Sequence, residues 1–136
     1  MKRFAIEDRV RWSDIDAAGV IFYGAYVRFF EIAESELFRA AGMSLGDLYN
    51  SFDCWLPRVR YSCEFRAPAR LDDVLRISAW FKRLGARSMT LGFEVEKQDG
   101  VRVADCEIVL ACVSRATFRA MPLPDALRAA LAPFSD

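Results

Sequence analysis

The second half of the chain alternates apolar and polar residues with a period of two. The pattern runs through four segments, RVRYSCEFRAPA, DVLRISAWFKR, RSMTLGFEVEKQDG and VRVADCEIVLACVSR. Successive side chains of a β-strand point to opposite faces, so this period predicts four strands, each with one apolar face. The Asp99-Gly100 pair between the last two segments is typical of a hairpin turn, so these two strands should pair antiparallel.

The segment before these strands has a helical period. Apolar residues recur there at spacings of three and four, at Tyr26, Phe30, Ala33, Leu37 and Ala41. This spacing predicts one apolar face of a long α-helix. The helix should begin at Phe22 or Tyr26 and end before Gly42, a residue suited to the left-handed position that follows a helix.

Shorter patterns complete the order of elements. Residues 4–13, FAIEDRVRWS, predict a first strand, MSLGDLYNSFD predicts a turn region, and Leu127 and Leu131 predict a short helix near the end. A meander of antiparallel strands must bury the long helix against one face, which predicts an α+β fold of two layers. At 136 residues the chain suffices for one core, so we expect a single domain over 1–136.

The other face of the predicted sheet is not purely polar. It also carries apolar side chains, at Val74, Trp80, Val103, Val109 and Val113. Apolar side chains on a solvated face indicate a contact surface. We therefore predict that part of this face, or an edge of the sheet, pairs with another copy to form a homo-oligomer.

Composition and charge exclude several classes of function. Apolar residues make up 54% and charged residues 28% of the chain, as in globular proteins, and no apolar run approaches the ~20 residues that cross a bilayer. Lys plus Arg equals Asp plus Glu at 19 each, so no net charge attracts nucleic acid or a membrane surface. The first ten residues include Glu7 and Asp8 and do not resemble a signal peptide, so we expect a cytoplasmic protein.

The chain contains four cysteines and no histidine. The cysteines are Cys54, Cys63, Cys106 and Cys112. They lack CxxC spacing, and mixed Cys–His zinc sites need histidine, so we predict buried free thiols and no metal. Ser-His-Asp and Cys-His catalysis are excluded because both need an imidazole. Any chemistry must rest on carboxylates and backbone dipoles, without a cofactor.

The segment SDIDAAGVIFYGAYVRFFEIAESELFRAAG carries the most specific motif. Its D-x-D-x-x-G start, followed by aliphatic and aromatic residues and then a helix, resembles hotdog-fold thioesterases of the 4-hydroxybenzoyl-CoA thioesterase and YbgC-like branch. Weaker matches follow in order in FRAPARLDDVLRI, LGARSMTLGFEVEK and CVSRATFRAMPLP. The resemblance covers nearly the whole chain. It implies a hotdog fold, in which an antiparallel sheet wraps around one long central helix, and an acyl-CoA thioesterase activity.

The resemblance also implies roles for individual residues. Asp16 corresponds to the catalytic carboxylate, which either attacks the thioester to form a mixed anhydride or activates a water molecule. The backbone N–H of Tyr23, with Gly24 beside it, corresponds to the oxyanion donor at the positive end of the helix. We predict that Asp14 braces the turn, with orientation of Asp16 as the alternative. Gly19 should permit the tight turn that positions the site.

The substrate contacts are less specific. Phe22, Tyr23 and Tyr26 either line an acyl pocket or belong to the core. Tyr23 matches the hydroxybenzoyl branch, where many YbgC-like members have histidine, and this slightly favours an aromatic acyl group. The phosphates of CoA need cations, and the candidates are Arg58, Arg60, Arg66, Arg70, Arg83, Arg87 and Arg115. By resemblance Arg87 is the first choice, with Lys82 and Arg83 as neighbours.

The sequence is compatible with three functions. A thiolate, with an aqueous pKa near ~8.5 by analogy with cysteine, leaves without a strong acid, so one carboxylate suffices for an acyl-CoA thioesterase. The same chemistry could act on an acyl carrier protein in fatty-acid or polyketide metabolism. A non-catalytic acyl-binding protein is the third candidate. In this family the site lies at the subunit interface, which implies a homo-oligomer, either a dimer or a dimer of hotdog dimers.

Overall fold

One antiparallel sheet and one long helix form the framework of the fold. The computed structural model describes residues 3–136. The strands are β1 (Phe4–Arg9), β2 (Cys54–Trp55), β3 (Arg58–Phe65), β4 (Val74–Leu84), β5 (Ser88–Lys97), β6 (Arg102–Ala111) and β7 (Val113–Ser114). The helices are α1 (Tyr26–Ala40), α2 (Leu45–Ser51) and α3 (Asp125–Leu131), with 3₁₀ turns at Trp12–Asp14, Tyr23–Ala25 and Ala132–Phe134. Within residues 3–136, no helix is long and apolar enough to cross a membrane.

The main sheet has the strand order β1-β4-β5-β6-β3, and all its pairs are antiparallel. The predicted hairpin is confirmed between β5 and β6, where Gly100 takes a φ of 85°. The expectation of a simple meander is wrong for β3, which pairs with β6 rather than with β4. The β3–β4 connection crosses the end of the sheet, where the amides of Val10 and Ile21 bond the carbonyls of Asp73 and Ala69. These bonds place the segment 10–21 at that end.

Helix α1 packs on one face of the sheet. Its predicted apolar face is confirmed, because Tyr26, Phe30, Ala33 and Leu37 are buried. The inner face of the central strands is almost completely excluded from water and consists of Leu75, Ile77, Ala79, Phe81, Met89, Leu91, Phe93 and Val95. Burial of one such Leu, Ile or Phe side chain stabilises a fold by about 1.5–3 kcal/mol. This apolar packing therefore holds α1, and with it the segment before α1, in place.

The segment after α1 is a helix rather than the turn region expected from the sequence. The hydroxyl of Ser44 accepts a hydrogen bond from the amide of Asp47 at 3.2 Å and caps α2. Leu48 is fully buried against the core. A helix this short is unstable alone, so tertiary packing of Leu48 decides its conformation.

The apolar side chains predicted on the outer face are largely covered by the chain itself. Trp80, Val103 and Val113 are buried. The guanidinium of Arg3 lies 3.9 Å from the Trp80 ring centroid, and the indole N–H donates to Asp136 at 3.3 Å. Val74 and Val109 are half-buried, so the outer face is less apolar than expected, and pairing of this face or of the sheet edge with another copy stays a prediction.

The prediction of four free thiols is wrong for one pair. Cys63 and Cys106 are disulfide-bonded, whereas Cys54 and Cys112 are free and buried. Cys63 on β3 lies directly opposite Cys106 on β6, with 4.1 Å between the Cα atoms, which brings the two thiols together. Sequence spacing could not indicate this pairing because it depends on strand register.

Candidate active site

Asp16 lies in a tight turn between β1 and α1. Its backbone N–H donates to the carbonyl of Val20 at 3.0 Å, and the N–H of Gly19 donates to the Asp16 carbonyl at 2.9 Å. Ile15 and Ile21 pair across the base of this turn. Gly19 has a φ of 78°, a conformation that glycine adopts without steric cost, in agreement with its expected role in the turn.

The side chain of Asp16 is exposed to solvent. One carboxylate oxygen accepts a hydrogen bond from the amide of Ala18 at 2.8 Å, and within residues 3–136 this is its only hydrogen-bond donor. The side chain lines a cleft of about 490 Å³, whose other lining residues are Trp12, Ile15, Ala17 and Gly19. Asp16 is thus oriented by its own turn, and its carboxylate remains accessible to a water molecule or a substrate carbonyl.

The N-terminus of the long helix begins a few residues further on. The 3₁₀ turn Tyr23–Ala25 continues directly into α1, and the amide of Phe22 donates to the Asp14 carbonyl at 3.2 Å. The N–H groups of Tyr23 and Gly24 belong to the first turn, where no preceding helical carbonyl exists to accept them, and the helix dipole is positive there. A Cβ on Gly24 would lie 3.3 Å from the Phe22 ring, so a glycine lets that ring approach the backbone closely.

Asp14 is buried and braces this segment, as predicted. Its carboxylate accepts hydrogen bonds from the Arg11 amide at 2.8 Å and from Nη2 and Nε of Arg28 at 2.6 and 3.2 Å. Arg28 also bonds Asp8 of β1 at 2.8 Å. Partial burial raises the pKa of Asp8, but hydrogen bonds from Arg28 and the Arg9 amide outweigh it, so the pKa lies below its usual value. The hydrogen bond with Asp14 raises the pKa of Arg28 further.

Tyr26 faces a different cleft from Asp16. It is buried, its ring centroid lies 5.2 Å from that of Phe65, and it stacks on Phe30 at 6.1 Å. Burial raises the pKa of Tyr26 to about 12, so its hydroxyl stays protonated. It lines a cleft of about 270 Å³ with Ile21, Phe65, Arg66, Ala67 and Pro68. The two clefts share no lining residue, so one chain does not unite Tyr26 and Asp16 in a single pocket.

Arg87 lies at the opposite end of the sheet from Asp16. It occupies the turn between β4 and β5, where its carbonyl accepts from the Cys112 amide. Asp16 lies instead beside the start of β4, because Val20 bridges to Arg70. The 11 residues of β4 separate the two ends by roughly 33 Å. The assignment of Arg87 to CoA therefore stays a prediction, and it requires another chain to bring the two ends together.

The sequence did not single out two residues that the structure places near Asp16. Trp12 is 77% exposed and lines the Asp16 cleft, although the alternation pattern assigned it to a strand. No motif marks Arg28, which lies in the first turn of α1. The sequence does contain an indication for Arg28. The positive end of the helix dipole disfavours a cation in the first turn, so an arginine there indicates a nearby acidic partner.

Comparison with known proteins gives matches over most of the chain. Residues 10–131 match the sequence profile of the Thioesterase-like superfamily. The acyl-CoA thioester hydrolase YbgC of Escherichia coli O6:H1 is 28% identical over 119 residues, which cover 88% of each chain. Slr0204, a 1,4-dihydroxy-2-naphthoyl-CoA thioesterase from Synechocystis, superposes with a TM-score of 0.88 at 23% identity and covers 96% of both chains. BH1999, a gentisyl-coenzyme A thioesterase, superposes with a TM-score of 0.81 at 26% identity, covering 94% of this chain and 99% of its own. The expected α+β hotdog fold is confirmed.

Proposed function

The chain belongs to the thioesterase-like superfamily, and we propose that it hydrolyses acyl-CoA thioesters to a free acid and CoA with Asp16 as the catalytic carboxylate. The observation that carries this proposal is the exposed Asp16 carboxylate in a cleft, on a turn that leads directly into the N-terminus of α1. The similarity to acyl-CoA thioester hydrolases supports the same reaction.

The reaction follows from these two groups. Asp16 either removes a proton from a water molecule, which then attacks the thioester carbonyl, or attacks that carbonyl itself and forms an anhydride that water later cleaves. Both routes place negative charge on the carbonyl oxygen, and the amides of Tyr23 and Gly24 stabilise it by hydrogen bonds. Collapse of the intermediate expels the CoA thiolate, which needs no strong general acid. The absence of histidine from the chain is compatible with this chemistry.

The acyl group is an aromatic one in our proposal. The two solved relatives described above carry names with aromatic acyl groups, 1,4-dihydroxy-2-naphthoyl and gentisyl. Trp12, Phe22 and Tyr23 are exposed aromatic side chains in the segment that holds Asp16. Rings of this kind stack on a flat acyl group better than on a flexible aliphatic one.

A second copy of the chain completes the site in this proposal. Strand β3 is an edge strand, and its side chains Val59, Tyr61 and Phe65 are 61%, 47% and 52% exposed. Exposed apolar edges recruit another strand. If two β3 strands pair antiparallel, the Arg87 end of one chain lies beside the Asp16 end of the other, because the two ends of each sheet are reversed. This arrangement would bring a cation for the CoA phosphates to the Asp16 cleft. A dimer of such dimers is the full assembly that we propose.

The proposal extends to domain organisation and location. One core beneath α1 supports a single domain over 1–136. We propose that the enzyme works in the cytoplasm, where the reducing pool keeps cysteines as thiols, so Cys63 and Cys106 should be reduced there. Trapping the thiols of freshly lysed cells with an alkylating reagent, followed by mass spectrometry, tests this. Complete recovery of the Cys63–Cys106 disulfide would contradict a cytoplasmic location.

The decisive experiment measures release of free thiol from aromatic, short-chain and long-chain acyl-CoAs. Asp16→Asn keeps the size of the side chain and an oxygen for the Ala18 amide, but removes the charge. We expect at least a ~100-fold loss of kcat, the scale for losing a general base. Asp99→Asn is the matched control, because Asp99 is also exposed and accepts from the amide two residues further on, at 3.0 Å from Val101. Its activity should equal that of the wild type.

The same assay separates the remaining alternatives. One acyl group offered on CoA and on an acyl carrier protein identifies the carrier by the larger kcat/KM. If the wild type binds acyl-CoA stoichiometrically but releases no thiol, the chain is an acyl-binding protein and the proposed hydrolysis is wrong. Equal activity of the wild type and Asp16→Asn would reject the role of Asp16.

The assembly has its own test. Val59→Lys places a charge on the exposed edge strand, whereas Val101→Lys places one on the exposed β5–β6 turn. We expect Val59→Lys to lose the β3–β3 contact, and therefore to show a lower mass than the wild type in light scattering after gel filtration and to lose activity, while Val101→Lys keeps the wild-type mass. An unchanged mass for Val59→Lys would mean that β3 is not the contact between copies.

A further inference from the structure

We infer that Arg28 is a positioning residue, which holds Asp16 at a fixed distance from the helix amides by clamping Asp14. This inference rests on the proposed hydrolysis for its kinetic test. It concerns a side chain that neither the reaction nor the assembly described above uses. Arg28 lies in the first turn of α1, and Asp14 precedes Asp16 by two residues.

The clamp joins three elements. Arg28 grips the Asp14 carboxylate with two nitrogen atoms, at 2.6 and 3.2 Å, and reaches Asp8 of β1 at 2.8 Å. Its guanidinium carbon lies 4.2 Å from the ring centroid of the buried Phe29. A forked guanidinium bond fixes orientation as well as distance, which a single ammonium contact does not. The segment that holds Asp16 is therefore tied to both the sheet and the helix.

The backbone of Asp14 also connects the Asp16 turn to the start of α1. Its carbonyl accepts from the Phe22 amide at 3.2 Å, and Phe22 is directly followed by Tyr23. Asp14 thus touches the Asp16 turn on one side and the helix N-terminus on the other. A displacement of about 1 Å between a reacting group and its partner can cost on the order of 100-fold in rate. In our inference Arg28 fixes the distance between the Asp16 carboxylate and the amides at the start of α1. Its loss should therefore affect the chemical step more than substrate binding.

The molecule contains a matched bridge elsewhere on the same helix. Asp14 and Glu34 are the two buried charged residues in the described part of the chain, each 3% exposed. Glu34 also bonds an arginine at 2.6 Å, Arg58 of β3. A substitution at Glu34 therefore disturbs a buried acid that binds an arginine through a single bond, without touching the Asp16 turn. It is the natural control for a purely structural effect.

The kinetic experiment compares Arg28→Met, Arg28→Lys and Asp14→Asn with Glu34→Gln, all below their melting temperatures. We expect Arg28→Met and Asp14→Asn to lower kcat ~10- to 100-fold while KM changes less than ~3-fold. Arg28→Lys, which keeps the charge but not the fork, should lose less than Arg28→Met. Glu34→Gln should keep the wild-type kcat even though its stability falls. In the Asp16→Asn background, Arg28→Met should add less than a ~3-fold loss, because groups that act as a unit are not additive.

Hydrogen exchange provides a measurement that does not require activity. The amides of Asp16, Ala18 and Gly19 are bonded within the turn, at 3.0, 2.8 and 2.9 Å. Their exchange should be faster in Arg28→Met than in the wild type and unchanged in Glu34→Gln. Unchanged exchange in Arg28→Met, or a wild-type kcat in an active enzyme, would overturn the inference. An inert wild type would instead refute the proposed hydrolysis, and faster exchange would then still support the clamp.

Discussion

The two faces of the main sheet differ completely, although they are built from the same strands. On β5, the Phe93 side chain points to α1 and is 1% exposed. The neighbouring Gly92 lies with its Cα against the Trp80 ring on the outer face. The inner face is a continuous apolar layer. The outer face is a layer of ion pairs, in which Arg102 contacts Glu94, Glu96 and Asp105.

The difference shows that the two faces depend on different forces. The inner face is stabilised by close packing, so it tolerates little change in volume. The outer face is stabilised by solvent-screened charge pairs, each worth little, so single substitutions there should be mild unless they create a clash. Because the outer face also lies on the far side of the sheet from α1, changes there that spare the candidate CoA cations Arg66 and Lys82 should leave kcat unaffected.

Removal of a packed ring from the inner face should have the largest effect. The Phe93 ring centroid lies 4.7 Å from that of Phe30 on α1. Phe93→Ala should lower the free energy of unfolding by about 3–5 kcal/mol, because it removes buried area and leaves a cavity. Urea unfolding followed by circular dichroism measures this. A loss below ~1 kcal/mol would mean that the inner face is not closely packed here.

The neighbouring position tests whether the outer face contains a packed site as well. A Cβ on Gly92 would lie 2.9 Å from Cζ2 of Trp80 and 3.0 Å from Cγ of Lys82. Gly92→Ala should therefore cost about 1–3 kcal/mol through displacement of the indole. In a Trp80→Ala background the same substitution should cost less, and equal costs in both backgrounds would exclude the clash as the cause. kcat should be unchanged.

Sequence pattern was sufficient to predict the faces of the sheet but not their exceptions. Alternation identified the inner residues of β4 and β5 because both strands are regular there. At Arg58 the pattern failed, since a register shift between Arg58 and Arg60 turns Arg58 toward Glu34 of α1. An extra residue in a strand reverses the faces beyond it, and no local pattern marks its presence.

The candidate site was predictable where one short segment carries it. The motif proposes Asp16, Gly19 and the Tyr23 amide, which the structure places in one turn and in the helix start that follows it, and their roles stay a prediction. The distance of Arg87 from Asp16 depends on which strands are neighbours, and the bond between Asp14 and Arg28 depends on how the helix packs. Both are tertiary properties, so residue spacing along the chain could not give them.

Acids on the two sides of the sheet, Glu34 of α1 and Asp105 of β6, should respond to pH in opposite directions. Burial raises the pKa of Glu34 despite its bond with Arg58. For Asp105, partial burial acts upward, but hydrogen bonds from Arg66 and Arg102 outweigh it and lower the pKa. The contribution of Glu34 is therefore fully present below its unfolded value of 4.5 and is lost as the pH rises through its folded pKa. The contribution of Asp105 is present above 3.8 and is lost as the pH falls through its folded pKa.

Urea unfolding at several pH values checks both signs. The stability of the wild type minus that of Glu34→Gln should decrease as the pH rises above 4.5. The stability of the wild type minus that of Asp105→Asn should decrease as the pH falls below 3.8. If both stability differences changed in the same direction with pH, the conclusion that burial dominates at Glu34 and ion pairing dominates at Asp105 would be wrong.

The smallest effect is expected for an isolated ion pair of the outer face. Lys82 pairs with Glu107 across β4 and β6, and both side chains are about 40% exposed. Water and salt screen such a pair, and holding two long side chains in place costs entropy. Lys82→Met, which keeps the length of the side chain beside Trp80, should change the free energy of unfolding by less than ~1 kcal/mol. The change should shrink further in 1 M salt, where the screening length is about 3 Å. A larger loss that does not depend on salt would show that packing of the lysine stem stabilises the outer face. Both faces would then be stabilised by packing, and they would differ only in how closely they are packed.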